Sequence, residues 1–317
     1  MTLSPLKNAK GSPEPRVSLV TPSYNAAPYL QAAIESVLAQ DYPHIEYLVM
    51  DGGSTDGTIE LLQEYGEKVH WISESDRGQA DAIARGLQRS SGAILGWLNA
   101  DDVLKPGAVR TAVEAFLAHP DVALVYGHAD FIDEHGTVIA PCTVIEPFSR
   151  QRLLDYGDYI IQPAAFFSRQ AYQSVGGLDT SLHWAMDWDL WIRLAQDHDF
   201  IHLTEVLASY RWLGSNKTAT GGFDRLQEIE EVARKYGCAG LPAYFRLEKA
   251  RLHAFLAKGD LHQLRLLPML RHGLLAATTI FSSWRAMQCL LKPSIWRTYR
   301  TAQGLYRHVA ERPRETK

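Results

Sequence analysis

The sequence predicts an α/β fold in which a mostly parallel sheet is flanked by helices and followed by a helical C-terminal extension. Apolar runs of strand length alternate with amphipathic helical segments between Val17 and Tyr126, as they do in consecutive βαβ units. Polar clusters follow the first four runs, and basic residues accumulate after residue 240. The length of 317 residues is enough for two domains.

The predicted strands and helices follow one another in a regular order. The β-branched run 17–20 predicts a first strand that stops at Pro22, and Pro28 suits the first turn of the following helix. Hydrophobic periodicity then predicts strands at 45–50, 69–72, 93–98 and 122–126, with helices between them. A hairpin around 133–136, a strand at 160–167, a helix that begins near Asp187 and a last strand at 206–212 complete this part of the chain.

Composition excludes several classes of protein. The hydrophobic fraction of 46% and the charged fraction of 21% are those of an ordinary globular protein. The net charge of −4 argues against a nucleic-acid-binding protein. Three widely separated cysteines argue against a structural zinc site. The polar N-terminus lacks the apolar core of a signal peptide, and no uninterrupted apolar run of 18 residues indicates a membrane-spanning helix. We therefore expect a cytoplasmic protein.

Charge is distributed unevenly along the chain. Residues 241–317 contain 14 Lys and Arg against 4 Asp and Glu, a net charge of +10, whereas residues 1–240 carry 18 against 32, a net charge of −14. Leucines and aromatic residues are interleaved with the C-terminal arginines, a pattern typical of segments that lie on anionic membranes. Packing of a helical appendage on the main domain explains the same pattern, and the sequence leaves both alternatives open.

The polar clusters fall where an α/β sheet binds its ligands. Tyr24 and Asn25 follow the first strand, Asp51 the second, residues 74–77 the third, and Asp101 with Asp102 the fourth. The carboxyl ends of parallel strands share one edge of the sheet, so these clusters are expected to lie close together. No GxGxxG motif and no GxxxxGK[ST] motif is present, which argues against a dinucleotide-binding Rossmann site and a P-loop.

Each cluster has a structural alternative when it is considered alone. Adjacent carboxylates such as Asp101 and Asp102 repel each other unless a cation such as Mg²⁺ or Mn²⁺ shares them, but one of them also suits a helix cap. The loop 51–57 suits a nucleotide-binding loop or a tight turn. Asp187 and Asp189 lie among tryptophans and suit either a general base or a helix cap. Arg211 and Lys217 suit diphosphate binding or a solvated loop.

Taken together, the motifs resemble those of family 2 glycosyltransferases, which have the GT-A fold. The matching segments are 17–25 (VSLVTPSYN), 51–58 (DGGSTDGT), 74–82 (ESDRGQADA), 97–102 (WLNADD) and 186–193 (MDWDLWIR). Their order and spacing carry the resemblance, which extends over roughly residues 17–220. It implies a Rossmann-like GT-A sheet and an inverting transfer of a sugar from a nucleotide-diphosphate sugar. It also implies a divalent cation, Mn²⁺ or Mg²⁺, that holds the diphosphate at a DxD-type motif.

The resemblance also implies roles for individual residues. Asp102 is implied as the main metal ligand with Asp101 beside it, and Asp187 takes the position of the catalytic base, with Asp189 as the runner-up. The residues implied to bind the nucleotide sugar are Pro22, Tyr24, Asn25, Asp51, Asp76, Arg77, Asp81, Asn99, Asp101 and Lys217. The implied acceptor is a hydroxyl of a glycan or of a lipid-linked molecule in cell-surface polysaccharide or glycolipid synthesis.

Four positions depart from the commoner family pattern. Asn99 stands where the first Asp of the DxD motif is frequent, Gly52 replaces a frequent second Asp, Ala84 replaces a frequent Asn, and Leu213 replaces a metal-binding His of some members. These departures support an alternative, a degenerate GT-A-fold protein that serves as a binding scaffold. A sugar nucleotidyltransferase is less well supported, because it is expected to have a glycine-rich basic loop after the first strand.

The sequence thus predicts three regions. Residues 1–16 form a flexible tail, residues 17–225 form the GT-A glycosyltransferase domain, and residues 226–317 form a basic and mainly helical region. The expected partners are a nucleotide-sugar donor, the acceptor and, through residues 241–317, an anionic membrane surface at the cytoplasmic face.

Overall fold

The computed structural model describes residues 14–142, 145–262 and 266–281. Most of the predicted N-terminal tail and the basic residues from 282 onwards lie outside the described residues. The chain forms two compact units. The first comprises the chain up to Phe148 together with Ile160–Trp212, and the second comprises Ser149–Tyr159 and the chain from Leu213 onwards. The domain boundary at residue 225 stays a prediction.

The first unit is built on one sheet, which contains nine strands within the described residues. These are β1 Val17–Ser23, β2 Ile45–Asp51, β3 His70–Ser73, β4 Ile94–Trp97, β5 Val103–Leu104, β6 Leu124–Ile132, β7 Val138–Pro141, β8 Ala165–Ser168 and β9 Phe200–Arg211. They are ordered β3-β2-β1-β4-β8-β6-β9-β5, and β7 pairs with β6. The longest ladders, β1 with β2 and β6 with β9, are parallel. The predicted α/β fold with a mostly parallel sheet is confirmed.

Helices connect these strands and form most of the second unit. They are α1 Ala27–Leu38, α2 Thr58–Tyr65, α3 Gln79–Arg89, α4 Ala108–Ala118, α5 Arg150–Asp155, α6 Arg169–Ser174, α7 Met186–Asp197, α8 Lys217–Thr220, α9 Gly222–Lys235, α10 Ala243–His262 and α11 Leu266–Phe281. Pro28 lies in the first turn of α1, as predicted. No helix among the described residues combines the length and apolar character needed to cross a lipid bilayer.

Strand boundaries differ from the prediction at several points, each with a physical reason. β1 continues through Pro22 to Ser23, where it still pairs with β2. Its pairing with β4 ends at Val20, so the N–H that Pro22 lacks is not needed for a hydrogen bond to β4. β8 begins only at Ala165, because Gln162–Ala164 form a 3-10 turn with Pro163 inside it. The two-residue strand β5 is too short for a periodic pattern. The β6–β7 hairpin forms as predicted.

An aromatic cluster fixes α7 to the sheet. Trp97 of β4 and Trp191 of α7 stack with ring centroids 5.7 Å apart, and Phe167 of β8 packs edge-on against both rings. All three side chains are buried. Burial of each large apolar side chain contributes roughly 1.5–3 kcal/mol, so the cluster holds α7 and the carboxylates of its first turn in a defined place on the first unit.

The second unit is helical. Tyr156, which follows α5, packs against Tyr244 of α10 and accepts its backbone N–H at 3.0 Å. Arg225 of α9 forms a 2.7 Å ion pair with Glu248 of α10. These contacts join segments that are far apart in sequence into one body.

Candidate active site

Three strand ends meet in register at one edge of the sheet. Ser23 is paired with Asp51, and Asp51 is paired with Ser73, so β1, β2 and β3 end at the same level. Backbone bonds extend this alignment into the loops, because the N–H of Gly52 donates to Ser23 and that of Glu74 donates to Asp51. The structure therefore brings the first three predicted clusters together.

The carboxylate of Asp51 organises the loop that follows β2. It is 2% exposed and accepts hydrogen bonds from the N–H groups of Gly53 and Ser54, from the Ser54 hydroxyl and from the Ser73 hydroxyl at 2.7 Å. Both oxygens of the carboxylate therefore accept hydrogen bonds from groups of the protein itself. Asp51 thus shapes the loop expected to bind the nucleoside, and its part in binding a base or ribose stays a prediction.

Asn25 joins the loop after β1 to the same segment. Its backbone takes a positive φ of 49°, which Asn tolerates better than most residues. Its side-chain oxygen accepts the N–H of Thr55 at 2.9 Å, and its own N–H donates to Ser54 at 2.7 Å. Asp56 accepts the N–H of Ala27 at 3.1 Å and so caps α1. Asn25 therefore holds two loops together.

Tyr24 and Asp76 pack closely around Gly52. A Cβ atom placed at Gly52 would lie 2.8 Å from Oδ2 of Asp76 and 3.3 Å from the ring of Tyr24. The Tyr24 side chain is 68% exposed, and Oδ1 of Asp76 accepts the N–H of Gly78 at 2.7 Å. The carboxylate of Asp76 therefore fills space that a side chain at position 52 would need. Pro22 lies buried in the strand just before.

Arg77 and Asp81 form a helix cap at the start of α3. Oδ1 of Asp81 accepts the Arg77 guanidinium at 2.9 Å, and Oδ2 accepts the Arg77 backbone N–H. The hydrogen bond from Arg77, strengthened by its charge, lowers the pKa of the Asp81 carboxyl. Asp81 is largely buried, whereas the Arg77 side chain is exposed. Asp81 therefore positions Arg77. The roles of both residues in binding the donor stay predictions.

Asp101 and Asp102 occupy the turn that follows β4. Asp102 is 1% exposed. Burial raises its pKa well above the usual range, and the neighbouring charge of Asp101 raises it further. Burial also raises the pKa of Asp101. A buried carboxylate beside a half-buried one carries a free-energy penalty that a divalent cation would offset, and hard oxygen ligands suit Mg²⁺ and Mn²⁺.

A chain of amides orients Asp102. Asn99 donates from Nδ2 to Oδ2 of Asp102 at 3.0 Å and to Oε1 of Gln162 at 3.2 Å, while its Oδ1 accepts Nε2 of Gln79 at 2.7 Å. Gln162 in turn donates to the carbonyl of Trp97 at 2.7 Å. Asn99 therefore supplies an uncharged donor where a carboxylate is frequent in the family. The sequence predicts neither contact, because Gln79 has no assigned role within the segment 74–82 and Gln162 lies outside the matching segments.

Arg211 lies inside β9, as the strand predicted at 206–212 requires, and the alternative that places it in a solvated loop is wrong. It is 3% exposed, and its backbone N–H donates to Oδ1 of Asp102 at 2.9 Å. Its guanidinium donates to the carbonyls of Asp101 and Asp133. It is therefore a buried part of the carboxylate turn and not a surface cation. Lys217 begins α8 in the second unit, and its role toward a diphosphate stays a prediction.

The two candidate bases on α7 have different surroundings. Asp189 is fully buried, and its Oδ2 pairs with the Arg193 guanidinium at 2.8 Å. Asp187 is half-buried, and its Oδ1 accepts the N–H of Trp188 at 2.8 Å. Only Asp187 of the two is partly accessible to a substrate from solvent.

No cluster of three or more His, Cys, Asp or Glu side chains suited to a metal occurs within residues 14–142, 145–262 and 266–281. Two carboxylates supply only part of the six oxygen ligands, or roughly that number, of an octahedral cation. That donor set fits Mg²⁺ or Mn²⁺, which usually keep waters and bind substrate phosphates.

Comparison with known sequences identifies the family. The sequence profile of glycosyl transferase family 2 matches residues 18–176. An uncharacterized glycosyltransferase of Mycobacterium tuberculosis is 31% identical over 233 residues, which cover 71% of this chain and 87% of that protein. The chain therefore belongs to glycosyl transferase family 2.

Other relatives are longer proteins. Chondroitin synthase of Escherichia coli is 29% identical over 195 residues, which cover 61% of this chain and 28% of that protein. Hyaluronan synthase of Pasteurella multocida is 29% identical over 207 residues, which cover 64% of this chain and 21% of that protein. The chain thus spans about a quarter of the length of these two synthases.

Solved structures share the fold. A mannosyltransferase from Pyrobaculum calidifontis, in complex with GDP-Man and Mn²⁺, superposes with a TM-score of 0.58 at 22% identity, covering 95% of this chain and 88% of that one. S. aureus TarS 1–349, in complex with UDP-GlcNAc, superposes with a TM-score of 0.58 at 14% identity, covering 93% and 90%. These matches confirm the GT-A fold.

The buried ion pair predicts a structural role for Asp189. Replacing Asp189 with Ala leaves the Arg193 charge without its partner, so we expect a loss of about 3–5 kcal/mol in the free energy of unfolding. Urea denaturation measures this loss. Asp187→Ala is the matched control on the same helix and is expected to cost less than 1 kcal/mol or so, as partly exposed positions do. Equal losses for the two variants would contradict this assignment.

Proposed function

We propose that this protein transfers a sugar, with inversion at the anomeric carbon, from a nucleotide-diphosphate sugar to a hydroxyl of a glycan or lipid-linked acceptor. The observation that carries the proposal is the loop 76–79. Asp76 at one end lies with Tyr24 against Gly52, and Gln79 at the other end bonds Asn99, which holds Asp102. One loop thus joins the expected nucleoside pocket to the paired carboxylates.

The nucleoside is proposed to bind beside Tyr24. The exposed tyrosine ring offers a flat surface on which a base can stack, and the Asp76 carboxylate lies within reach of that ring across Gly52. Asp51 and Asn25 support this pocket by fixing the loops around it. The GDP-Man and UDP-GlcNAc bound by the two structural neighbours support a nucleotide-sugar donor.

Asp101 and Asp102 are the residues that would hold a divalent cation. When bound, the cation would neutralise the diphosphate and so stabilise the charge that grows on the leaving group. The Mn²⁺ in the mannosyltransferase complex supports this assignment. Asn99 and Arg211 keep the Asp102 carboxylate in a fixed orientation, and preorganised ligands of this kind lower the reorganisation that catalysis needs.

Asp187 is the proposed general base. Asp189 is held by Arg193 in the core, whereas the half-buried Asp187 can reach an acceptor. In the proposed reaction, the Asp187 carboxylate accepts the proton of the acceptor hydroxyl. The acceptor oxygen forms the new bond to the anomeric carbon from the face opposite the diphosphate. The old carbon–oxygen bond breaks, and the nucleotide diphosphate leaves with the electron pair.

The acceptor is proposed to be a growing cell-surface polysaccharide or glycolipid. The names of two relatives, chondroitin synthase and hyaluronan synthase, support a polysaccharide. Both matches cover only part of those proteins, so the support concerns the class of acceptor and not a particular glycan.

The central role of Asp187 predicts a specific loss of activity. With a panel of nucleotide sugars and water as acceptor, we expect slow donor hydrolysis by the wild-type protein and at least a 100-fold lower rate for Asp187→Asn, because general-base catalysis contributes roughly that factor or more. Release of nucleoside diphosphate measures the rate. Asp197→Asn, at the other end of α7, is the control. Hydrolysis at the wild-type rate in Asp187→Asn would contradict its role as the base, whereas no hydrolysis by the wild type with any donor would favour the scaffold alternative.

We further propose that the protein associates peripherally with the cytoplasmic face of a membrane through residues 241–317. The net charge of +10 in this region and the exposed side chains of Phe255, Leu270 and Leu274 support this proposal. The full-length protein is expected to sediment with vesicles that contain anionic lipid, to sediment less in 0.5 M salt or thereabouts, and to stay in solution with zwitterionic vesicles. Equal sedimentation with both kinds of vesicle would contradict an electrostatic association.

A further inference from the structure

Arg211 contacts both residues of the carboxylate turn. Its backbone N–H donates to Oδ1 of Asp102 at 2.9 Å, and Nε of its guanidinium donates to the backbone carbonyl of Asp101 at 2.8 Å. One residue of β9 therefore fixes the backbone of Asp101 and the side chain of Asp102. The turn and β9 are 110 residues apart in sequence, so these bonds are long-range constraints.

The same guanidinium also holds the β6–β7 hairpin. Nη1 donates to the carbonyls of Asp133 at 2.6 Å and Glu134 at 3.1 Å. The cationic group lies over the ring of Tyr29, with 5.1 Å between the guanidinium carbon and the ring centroid. Arg211 thus joins the carboxylate turn, the hairpin turn and α1 at one buried point.

This arrangement requires the shape of an arginine. A guanidinium is planar and directs its five N–H donors in a fixed fork, so it can bond carbonyls of two separate turns while stacking on an aromatic ring. A lysine ammonium keeps the charge but presents a compact head on a flexible chain, and it cannot reproduce the fork. A substitution to Lys therefore changes the geometry and keeps the formal charge.

Asp102 receives its hydrogen bonds from uncharged groups. Oδ1 accepts a backbone N–H and Oδ2 accepts the Asn99 amide. These donors fix the direction of both carboxylate oxygens through hydrogen bonds from uncharged groups. Such orientation of a ligand is what a second layer of residues provides in metal sites.

We propose that Arg211 is a positioning residue that presets Asp101 and Asp102 for a divalent cation and thereby determines the affinity for that cation. This inference rests on the proposed function, which assigns the cation to these two carboxylates. Arg211 is thus a determinant of cation affinity that lies on β9. It has no carboxylate or imidazole to bind the cation, and it acts only through the turn that carries Asp101 and Asp102.

The test compares the buried Arg211 with the half-buried Arg169, both in the first unit. Arg169 donates to the carbonyls of Gly92 and Leu87 and to the Ser90 hydroxyl, so it closes the end of α3 and touches none of the proposed ligands. Arg211→Lys and Arg169→Lys each remove the hydrogen bonds that one guanidinium donates and keep the positive charge. Both are expected to lower the melting temperature, which controls for a general loss of stability.

Binding of Mn²⁺ is measured by electron paramagnetic resonance of the free ion, with UDP and with GDP present, and needs no turnover. We expect Arg211→Lys to weaken Mn²⁺ binding about tenfold or more, the usual effect of losing a residue that orients a ligand, and Arg169→Lys to leave it unchanged. Wild-type affinity in a folded Arg211→Lys variant would overturn the inference alone. Failure of the wild-type protein to bind Mn²⁺ with any nucleoside diphosphate would overturn the proposed metal site and this inference with it. Equal weakening in both variants would also overturn the inference, because it would show a general effect of stability.

Discussion

The placement of two adjacent carboxylates after β4, Asp102 buried and Asp101 half-buried, is the constraint on which the rest of the site depends. Burial raises the pKa of both carboxyl groups, and the charge of Asp101 raises that of Asp102 further. The surrounding structure fixes Asp102 from three directions. The amide of Asn99 comes from the same turn, the backbone of Arg211 comes from β9, and Gln162 supports Asn99 from the segment before β8.

Much of this arrangement follows from the order of the strands. Parallel strands end at one edge, so the loops after β1, β2 and β3 have to meet there, and their polar residues bond one another across the gaps. Asp51 and Asn25 show the consequence, since both use their side chains on neighbouring loops. The polar residues at this edge of the sheet therefore also hold the loops of the fold together.

The sequence is sufficient to predict these polar residues and their position at the edge of the sheet. Alternating apolar runs predicted the βαβ order, and the position of Asp101 and Asp102 directly after β4 predicted their place at the sheet edge. The hairpin at 133–136 was predicted from its turn residues. What local patterns could not predict are contacts between distant segments. The sequence leaves Arg211 either a diphosphate ligand or a residue of a solvated loop, and its burial depends on the pairing of β9 with β6 and β5.

The two carboxylates of α7 illustrate the same limit. Asp187 and Asp189 are two residues apart among tryptophans, and helical periodicity places them on different sides of the helix without saying which side faces the core. The packed structure decides this, because Asp189 is fully buried and pairs with Arg193 one turn further along the same helix, whereas Asp187 is half-buried. Only the packed structure contains that information.

The most direct measurement is calorimetric titration of UDP, GDP, dTDP and CDP into the wild-type protein and Asp102→Asn, each with and without Mn²⁺. Asp41→Asn, which removes an exposed carboxylate paired with Arg110, is the control. The account predicts that at least one nucleotide binds the wild-type and control proteins only with Mn²⁺, and that Asp102→Asn abolishes this binding. Binding of the same nucleotide by Asp102→Asn with unchanged affinity and unchanged dependence on Mn²⁺ would contradict the account.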